Sequence, residues 1–548
     1  MSRTRKSARR VKRSADSALV GPEKKQQKAQ SAEEASTTAD VAVYSEQESR
    51  QEAERTLTKL LGGMCMETFQ SEYFEKRPLH VRAAEKSELF ADGLFSRNQL
   101  LEVLEKESPS LKVGKDLTVC RYVNSQREDF DCAGGDGSAT SQEVDRLLDS
   151  GFSCQFYQPQ RYTDGLYAIN AAFEEVFGGL AGASAYLTPA NAQALAPHYD
   201  DVEVFVLQTQ GRKKWQLYRP LVELAGEHSS DLAVDQIGEP WMQLTVEEGD
   251  VLYFPRGVVH QACTDEKEFS THVTISVYQH NTWANFLEVA LPRVIRQAFD
   301  SDIAFRQGLP MKYLSYMGTQ FPTDSAKAKD FTASCKKLVG RLAAHVDEKD
   351  LQQAADEAAL DVLANRLPPP GTKENDEAGL SPLDDNVVLC FKNRSHIRLS
   401  MGEDETKEAF VAVYYSQHNC RRHHMGFCTC NGQEEDEDCE ENSDDGDAEA
   451  SSADGDQDGH GDSEEEDDPS AAFGQMPAQP KSIVFPGELA AALMKLYSSS
   501  ASAGHGVPID ELVEANSDET AVRGMLLRLW SEGLLDVSTR SQAATTRT

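Results

Sequence analysis

The tightest constraint on this chain is a pair of distant segments that have to meet. The first is Ala196-Pro197-His198-Tyr199-Asp200-Asp201, which runs into the β-branched and aromatic stretch Glu203-Val204-Phe205-Val206-Leu207-Gln208. The second is Glu248-Gly249-Asp250-Val251-Leu252-Tyr253-Phe254-Pro255-Arg256-Gly257-Val258-Val259-His260. In extended backbone, residues i and i+2 share a face, so His198 and Asp200 point together and Tyr199 points away. Gly249-Asp250 reads as a turn, and Val251 to Phe254 as a strand that carries the chain to His260.

Two imidazoles and one carboxylate on one face of a metal leave the opposite face open. That is the facial set of non-haem Fe(II) oxygenases, whose open positions take a co-substrate and dioxygen. His198, Asp200 and His260 are therefore the candidate metal ligands and catalytic centre. A His-x-Asp pair alone carries little, because such strings also arise as surface dyads. The downstream Gly249-Asp-Val-Leu-Tyr-Phe-Pro255 string and the intervening Gly211-Arg-Lys-Lys-Trp215 change that reading.

With Tyr186-Leu-Thr-Pro189, Ala196-Pro-His-Tyr-Asp-Asp-Val-Glu203 and Asn281-Thr-Trp283 added, the segment resembles the JmjC-type 2-oxoglutarate oxygenases of the cupin class. More narrowly it is similar to the nucleolar ribosomal oxygenases, described as histidyl hydroxylases and as histone lysine demethylases. The resemblance covers about Leu57 to Leu367, and the C-terminal part more loosely. It implies a mixed β and α fold: a JmjC/cupin double-stranded β-helix barrel, a helical region that pairs two protomers, and a C-terminal winged-helix-like domain.

The resemblance also implies Fe(II) as the metal, with 2-oxoglutarate and O2 as co-substrates. Lys213 matches the lysine that holds the far carboxylate of 2-oxoglutarate, with Thr274 in the same region; Lys214 should face the other side of the strand. Tyr186 and Ser276 match contacts to a protein substrate, and Asn191 is placed nearby. Where relatives carry an arginine on the Gly151–Phe156 strand, this chain has Gln155, which leaves substrate choice open. Asp201 and Glu203 either orient the ligands or face solvent, and Arg256 is either a structural tether or a substrate contact. Implied substrates are a histidine of a large-subunit ribosomal protein and methylated lysines of histone H3, with a role in chromatin and transcription repression. A non-catalytic cupin scaffold that binds chromatin or preribosomes is the alternative from another class, and a zinc hydrolase a third.

Composition places the boundaries. Residues 1–54 form a basic tail and polar linker, with Arg3, Arg5, Lys6, Arg9, Arg10, Lys12 and Arg13 among few apolar residues. Such a segment cannot bury enough surface to fold alone; it is expected to be a nuclear or nucleolar address, or a basic arm for RNA or chromatin. Residues 55–281 are expected to form the oxygenase barrel, with strands at 111–122, 152–158 and 183–188 and helices at 143–148 and 166–176. His80 is expected to be structural. Residues 282–366 change to helical period, with Trp283, Phe286, Leu287, Ala290, Leu291, Val294, Ile295 and Phe299 on one apolar face. A homodimer is expected there, against a helical cap on the barrel edge.

Leu367-Pro-Pro-Pro-Gly-Thr372 breaks the helix. Residues 373–548 are expected to be winged-helix-like, with strands at 387–391, 397–400, 410–415 and 533–537 and helices at 487–497, 507–513 and 519–532. Between Ile509 and Val537 only Arg523 and Arg528 are basic. That suits a protein-docking module better than a DNA reader, and leaves direct nucleic-acid binding open. An acidic insert, 431–480, interrupts this domain: Glu434 to Asp468 holds twenty acidic residues and no lysine or arginine. It is read as a lure for basic partners such as histone tails or ribosomal proteins, or as a tolerated loop. The formal net charge of −36 is thus strongly segregated. His418, Cys420, His423, His424, Cys428 and Cys430 are zinc-ligand types, but Cys428 and Cys430 are closer than the usual spacing. A hairpin with reduced thiols is the alternative. Eleven cysteines suit a reducing compartment. No apolar run is long enough to span a bilayer, so no membrane partner is expected.

Overall fold

The computed structural model describes residues 46–83, 90, 94–107, 110–123, 126–130, 137–370, 380–424, 427–428, 479–500, 506–516 and 518–539. The basic tail, nearly all of the acidic insert, and Cys430 therefore lie outside the described residues. Ten strands build the barrel: β1 (Leu79–Val81), β2 (Leu117–Val123), β3 (Gln126–Asp129), β4 (Ser153–Tyr157), β5 (Ala181–Thr188), β6 (Glu203–Leu217), β7 (Met242–Glu247), β8 (Val251–Phe254), β9 (His260–Cys263) and β10 (Ser270–Val277). Their order is β1-β8-β6-β10-β5-β4-β2-β3, with β7 and β9 also pairing with β6.

β6 serves both halves of the barrel. Val204–Leu207 pair with β8, and Arg212–Leu217 pair with β7. Between them the register against β10 shifts at Thr271/His272, a β-bulge. Gly211 sits there at φ +61°, where a Cβ would lie 2.0 Å from the Phe269 carbonyl oxygen, so only glycine fits. An extra residue swaps the faces of a strand. Before the bulge the even-numbered Val204 and Val206 point into the barrel; after it the odd-numbered Trp215 and Leu217 join the same interior cluster, with Val246, Leu252, Phe254 and Val258. Phe205 and Leu207 point out instead, into the core shared with the N-terminal helices. There Phe69 meets Tyr253 edge-on at 4.9 Å, and Phe173 meets Phe205 at 4.9 Å. Each such buried ring contributes roughly 1.5–3 kcal/mol.

Several boundaries differ from expectation. The strand expected at 111–122 starts at Leu117. Residues Lys112 to Asp116 form a turn in which the Asp116 carboxylate accepts from the Lys112 N–H at 2.8 Å, and Gly114 has φ +86°. β3 is an exposed polar edge strand, whereas β7 alternates, turning Met242, Leu244 and Val246 toward the barrel interior. The helix Asp164–Phe177 ends in left-handed Gly178.

The helix Trp283–Ser301 divides its apolar residues between two faces. Ala290, Val294 and Ala298 are buried, while Trp283, Leu287, Leu291, Ile295 and Phe299 form an exposed stripe at four-residue spacing. Helices Ala326–Leu342 and Glu348–Asn365 follow.

In the C-terminal part, Val387–Phe391 pairs with Leu535–Thr539. Ile397–Glu403, Ala409–Tyr415 and Lys481–Pro486 form a second sheet. The last of these strands was not expected; it begins directly after the acidic insert. Helices Ala490–Ser500, Ile509–Asn516 and Glu519–Ser531 pack over both sheets around Leu389, Val413, Leu493 and Leu526.

Candidate metal centre

His198 and His260 face each other across an antiparallel bridge. The His260 N–H donates to the His198 carbonyl at 2.8 Å, and the His198 N–H donates back at 3.2 Å. The rings lie 4.4 Å apart, centroid to centroid. Each ring is oriented by its own backbone: His198 Nδ1–H donates to the Ala196 carbonyl at 2.8 Å, and His260 Nδ1–H to the Val258 carbonyl at 3.1 Å. Fixing the proton on Nδ1 leaves the Nε2 lone pair free to ligate, the usual outer support of a metal-binding imidazole.

Both Nε2 atoms face Asp200. His198 Nε2 is 3.8 Å from Asp200 Oδ1, and His260 Nε2 is 3.7 Å from Oδ2. The Asp200 carbonyl accepts from the Gly257 N–H at 2.9 Å, which ties the loop to the turn before His260. One ligand atom from each residue lies within 4.8 Å of the other two. Among the described residues this is the group of His, Cys, Asp or Glu side chains that meets that condition. Burial first, then His198, lower the pKa of His260 to about 4, so its imidazole is neutral at pH 7 and ready to ligate. The donor set fits a divalent first-row metal with an open side.

A small cavity joins the three ligands to Tyr186, Val204, Lys213, Trp215, Phe254, His272 and Thr274. Lys213 is 3% exposed. Its ammonium donates to the Thr188 hydroxyl at 3.0 Å, and among the described residues it has no ion-pair partner. Burial therefore lowers its pKa to about 8. A buried cation without a counter-ion is costly, and here it lines the same cavity as the three candidate ligands. Lys214 is exposed on the opposite face.

Other expected residues fall on both sides of this cavity. Gln155 Nε2 donates to the Tyr186 hydroxyl at 2.9 Å, so the two act as one polar unit in the wall. Burial raises the pKa of Tyr186, which keeps it protonated. Thr274 lines the cavity, and Ser276 follows two residues on along the same face of β10, opposite Gly182 and Val204. Asn191 does not line it: the side chain is exposed in a left-handed turn, φ +54°, where its N–H donates to the Asp265 carbonyl.

Glu203 neither faces solvent nor approaches the ligands. It is fully buried on the outer face of β6, where it accepts from the Tyr253 hydroxyl and the Arg256 N–H. Burial raises its pKa to about 7. Arg256 is a tether, paired with Glu75 at 2.6 Å. Asp201 accepts from Gln279 at 3.3 Å. His80 faces Asp250 at 2.9 Å, a structural role. In the cysteine- and histidine-rich segment, His418 donates to the Glu532 carbonyl at 2.7 Å and His423 bonds Asn365. The Cys428 and Cys430 side chains lie outside the described residues. Thr188 and Trp215, which enter the sequence reading only as motif residues, and His272, which it does not single out at all, line the cavity or hold Lys213. For His272 a signal existed: it precedes Thr274 and Ser276 by two and four residues, the spacing of one strand face.

The family model described as JmjC domain matches residues 155–286. Ribosomal oxygenase 2 of Rattus norvegicus is 35% identical over 381 residues, which span 67% of this chain and 78% of that protein. Ribosomal oxygenase 1 of Homo sapiens is 37% identical over 325 residues, 59% of this chain and 49% of that protein. The Bifunctional lysine-specific demethylase and histidyl-hydroxylase NO66 of Culex quinquefasciatus is 33% identical over 375 residues, 66% of this chain and 56% of that protein. The chain thus spans about half the length of the ribosomal oxygenase 1 and NO66 proteins it matches.

Proposed function

This chain belongs to the JmjC-domain ribosomal oxygenase family, and on that premise we propose that it is an Fe(II)- and 2-oxoglutarate-dependent protein oxygenase. The observation that carries the reading is the meeting of His198, Asp200 and His260 in one cavity with the buried cation of Lys213. When bound, ferrous iron, 2-oxoglutarate and dioxygen supply oxidative decarboxylation to succinate and carbon dioxide, and transfer of one oxygen atom to an unactivated C–H bond.

The chain's own residues do the rest. The two Nδ1–H bonds present both imidazoles as neutral donors to the metal. Lys213 and Thr188 hold the far carboxylate of 2-oxoglutarate. Tyr186, Gln155 and Ser276 form the polar wall that meets the protein substrate. The apolar interior of the barrel excludes water and strengthens these polar contacts.

The substrate is a histidine of a large-subunit ribosomal protein, hydroxylated at its β-carbon. Histone H3 lysine demethylation is the second outcome of the same chemistry: an oxidised N-methyl group breaks down with loss of formaldehyde. The names of the relatives, a ribosomal oxygenase and a lysine-specific demethylase and histidyl-hydroxylase, support both classes. A role in chromatin and transcription repression belongs to the second outcome. The basic arm directs the chain to the nucleus and nucleolus, and loss of nuclear signal on deleting residues 1–28 is the check. The exposed stripe Trp283, Leu287, Leu291, Ile295 and Phe299 supports a homodimer, since exposed apolar surface of this kind marks an interface. Among the described residues no helix is long and apolar enough to cross a membrane.

The test is mass spectrometry of ribosomal proteins and histone peptides incubated with the protein, Fe(II) and 2-oxoglutarate. A gain of one oxygen on histidine supports the hydroxylase, and a loss of methyl from lysine the demethylase. Neither change, with iron bound, would reject the reading.

A further inference from the structure

The two segments that carry the metal ligands meet a second time, on the outer face of β6. There the fully buried carboxylate of Glu203 accepts on both oxygens: Oε2 from the Tyr253 hydroxyl, and Oε1 from the Arg256 N–H at 3.4 Å. The Tyr253 hydroxyl oxygen accepts in turn from the Glu75 N–H at 3.0 Å. Arg256 Nη2 donates to the Glu75 carboxylate at 2.6 Å. Four residues thus close a ring of hydrogen bonds. They come from three places: the turn before β1, the start of β6, and the end of β8 with the turn that follows it.

The ring lies directly behind the metal ligands in sequence. Glu203 follows Asp200 by three residues, and Arg256 precedes His260 by four. Consecutive amides of the second segment reach back to the first: the Arg256 N–H to the Glu203 side chain, and the Gly257 N–H to the Asp200 carbonyl at 2.9 Å. The arrangement is costly. Arg256 is 6% exposed, and its Nε and Nη1 have no hydrogen-bond partner. A buried ion pair of this kind adds little stability over well-packed apolar side chains. Glu75 also holds a left-handed backbone, φ +57°, at a cost of about 1–2 kcal/mol. Stability alone therefore does not account for the ring. What it supplies is a fixed distance between two backbones.

We propose that Glu203 is a positioning residue for the metal centre: by bridging Tyr253 and the Arg256 amide, its carboxylate sets the spacing of Asp200 and His260 from behind the strand. The proposal rests on the metal-centre reading above. Glu203 acts through the backbone, from the face of β6 turned away from the cavity. A carboxylate suits the place because it offers one acceptor oxygen to each donor, where an amide offers a single oxygen.

The test uses Co(II) and the full chain. The affinity for this ion reports ligand spacing, and its visible absorption reports coordination geometry. The unaltered chain, Glu203→Leu and Glu203→Gln are compared, with urea unfolding of the metal-free proteins alongside. Leucine fills the space without an acceptor; glutamine keeps one acceptor oxygen. The expected result is a Kd for Co(II) raised about tenfold to a hundredfold in Glu203→Leu, the effect of losing an outer support of metal ligands, with an altered visible spectrum. Glu203→Gln should fall between the two. Where Glu203→Leu does not fold, Tyr253→Phe removes one donor of the ring, keeps the aromatic packing, and should shift affinity and spectrum the same way. A folded variant that binds Co(II) with unchanged affinity and spectrum, whatever its stability, would make Glu203 a packing group and overturn the proposal. If the unaltered chain binds no Co(II), or binding survives Asp200→Ala, the metal-centre reading itself fails, and the proposal falls with it whatever the Glu203 variants do.

Discussion

Replacing Lys213 by methionine separates the cost of the buried charge from its use. Burial lowers the pKa of the ammonium from 10.5 to about 8. That difference corresponds to about 3 kcal/mol of stability given up by the native state at pH 7. On the other side stands one hydrogen bond, from Nζ to the Thr188 hydroxyl, worth about 1 kcal/mol. Methionine has nearly the same length and no charge. The metal-free Lys213→Met protein is therefore expected to be about 2 kcal/mol more stable than the unaltered chain at pH 7, and to lose 2-oxoglutarate binding. The gain should fade with alkali. Between about pH 8 and 10.5 the folded chain binds fewer protons at Lys213 than the unfolded chain does, so the unaltered protein gains stability as pH rises and the gap closes. Urea unfolding near pH 7 and about pH 9.5 measures both effects. Calorimetry with 2-oxoglutarate and Mn(II) measures the functional loss. A variant less stable than its parent at pH 7, or one that still binds 2-oxoglutarate normally, would refute the assignment of Lys213 as an uncompensated buried cation kept for the co-substrate.

Glu203→Gln should flatten a different part of the pH profile. With its folded pKa raised to about 7, Glu203 makes stability fall as pH rises from about 4.5 to 7. The glutamine variant should lack that slope in urea titrations. Tyr186→Phe removes the hydroxyl bonded by Gln155; peptide KM should rise about fivefold to tenfold while 2-oxoglutarate affinity holds, as steady-state kinetics and calorimetry would show. Ile295→Asp, in the exposed stripe of its helix, should shift a dimer to monomer in light scattering; an unchanged mass would remove that face from the interface.

How much was legible in the sequence depended on which physical rule each residue obeyed. His198 and Asp200 follow strand alternation, and their shared direction is what the structure has. Lys213 does not follow simple counting. Taking parity from Val204 and Val206 would have pointed Lys214 inward; the extra residue Thr209 at the bulge swaps the faces and turns Lys213 in. The motif Gly-x-Lys-x-Trp carried that information, and periodicity did not. The strand β3 was missed because all four of its residues are polar and exposed, which leaves no apolar face to read. Glu203 was undecidable from sequence, since its partners Tyr253 and Arg256 come from a distant segment. The apolar residues of Trp283–Ser301 were read as one face but divide between two: Ala290, Val294 and Ala298 turn inward, while Trp283, Leu287, Leu291, Ile295 and Phe299 stay exposed.

The central claim is that His198, Asp200 and His260 hold the iron of a 2-oxoglutarate oxygenase. Its most direct test is an anaerobic Fe(II) titration of the purified chain, followed by 2-oxoglutarate and oxygen, with bound iron and succinate both measured beside Asp200→Ala. A single tight Fe(II) per chain, succinate formed once oxygen is admitted, and loss of both in Asp200→Ala is the predicted result. Iron binding that survives Asp200→Ala, or a fully iron-loaded chain that forms no succinate, would contradict it.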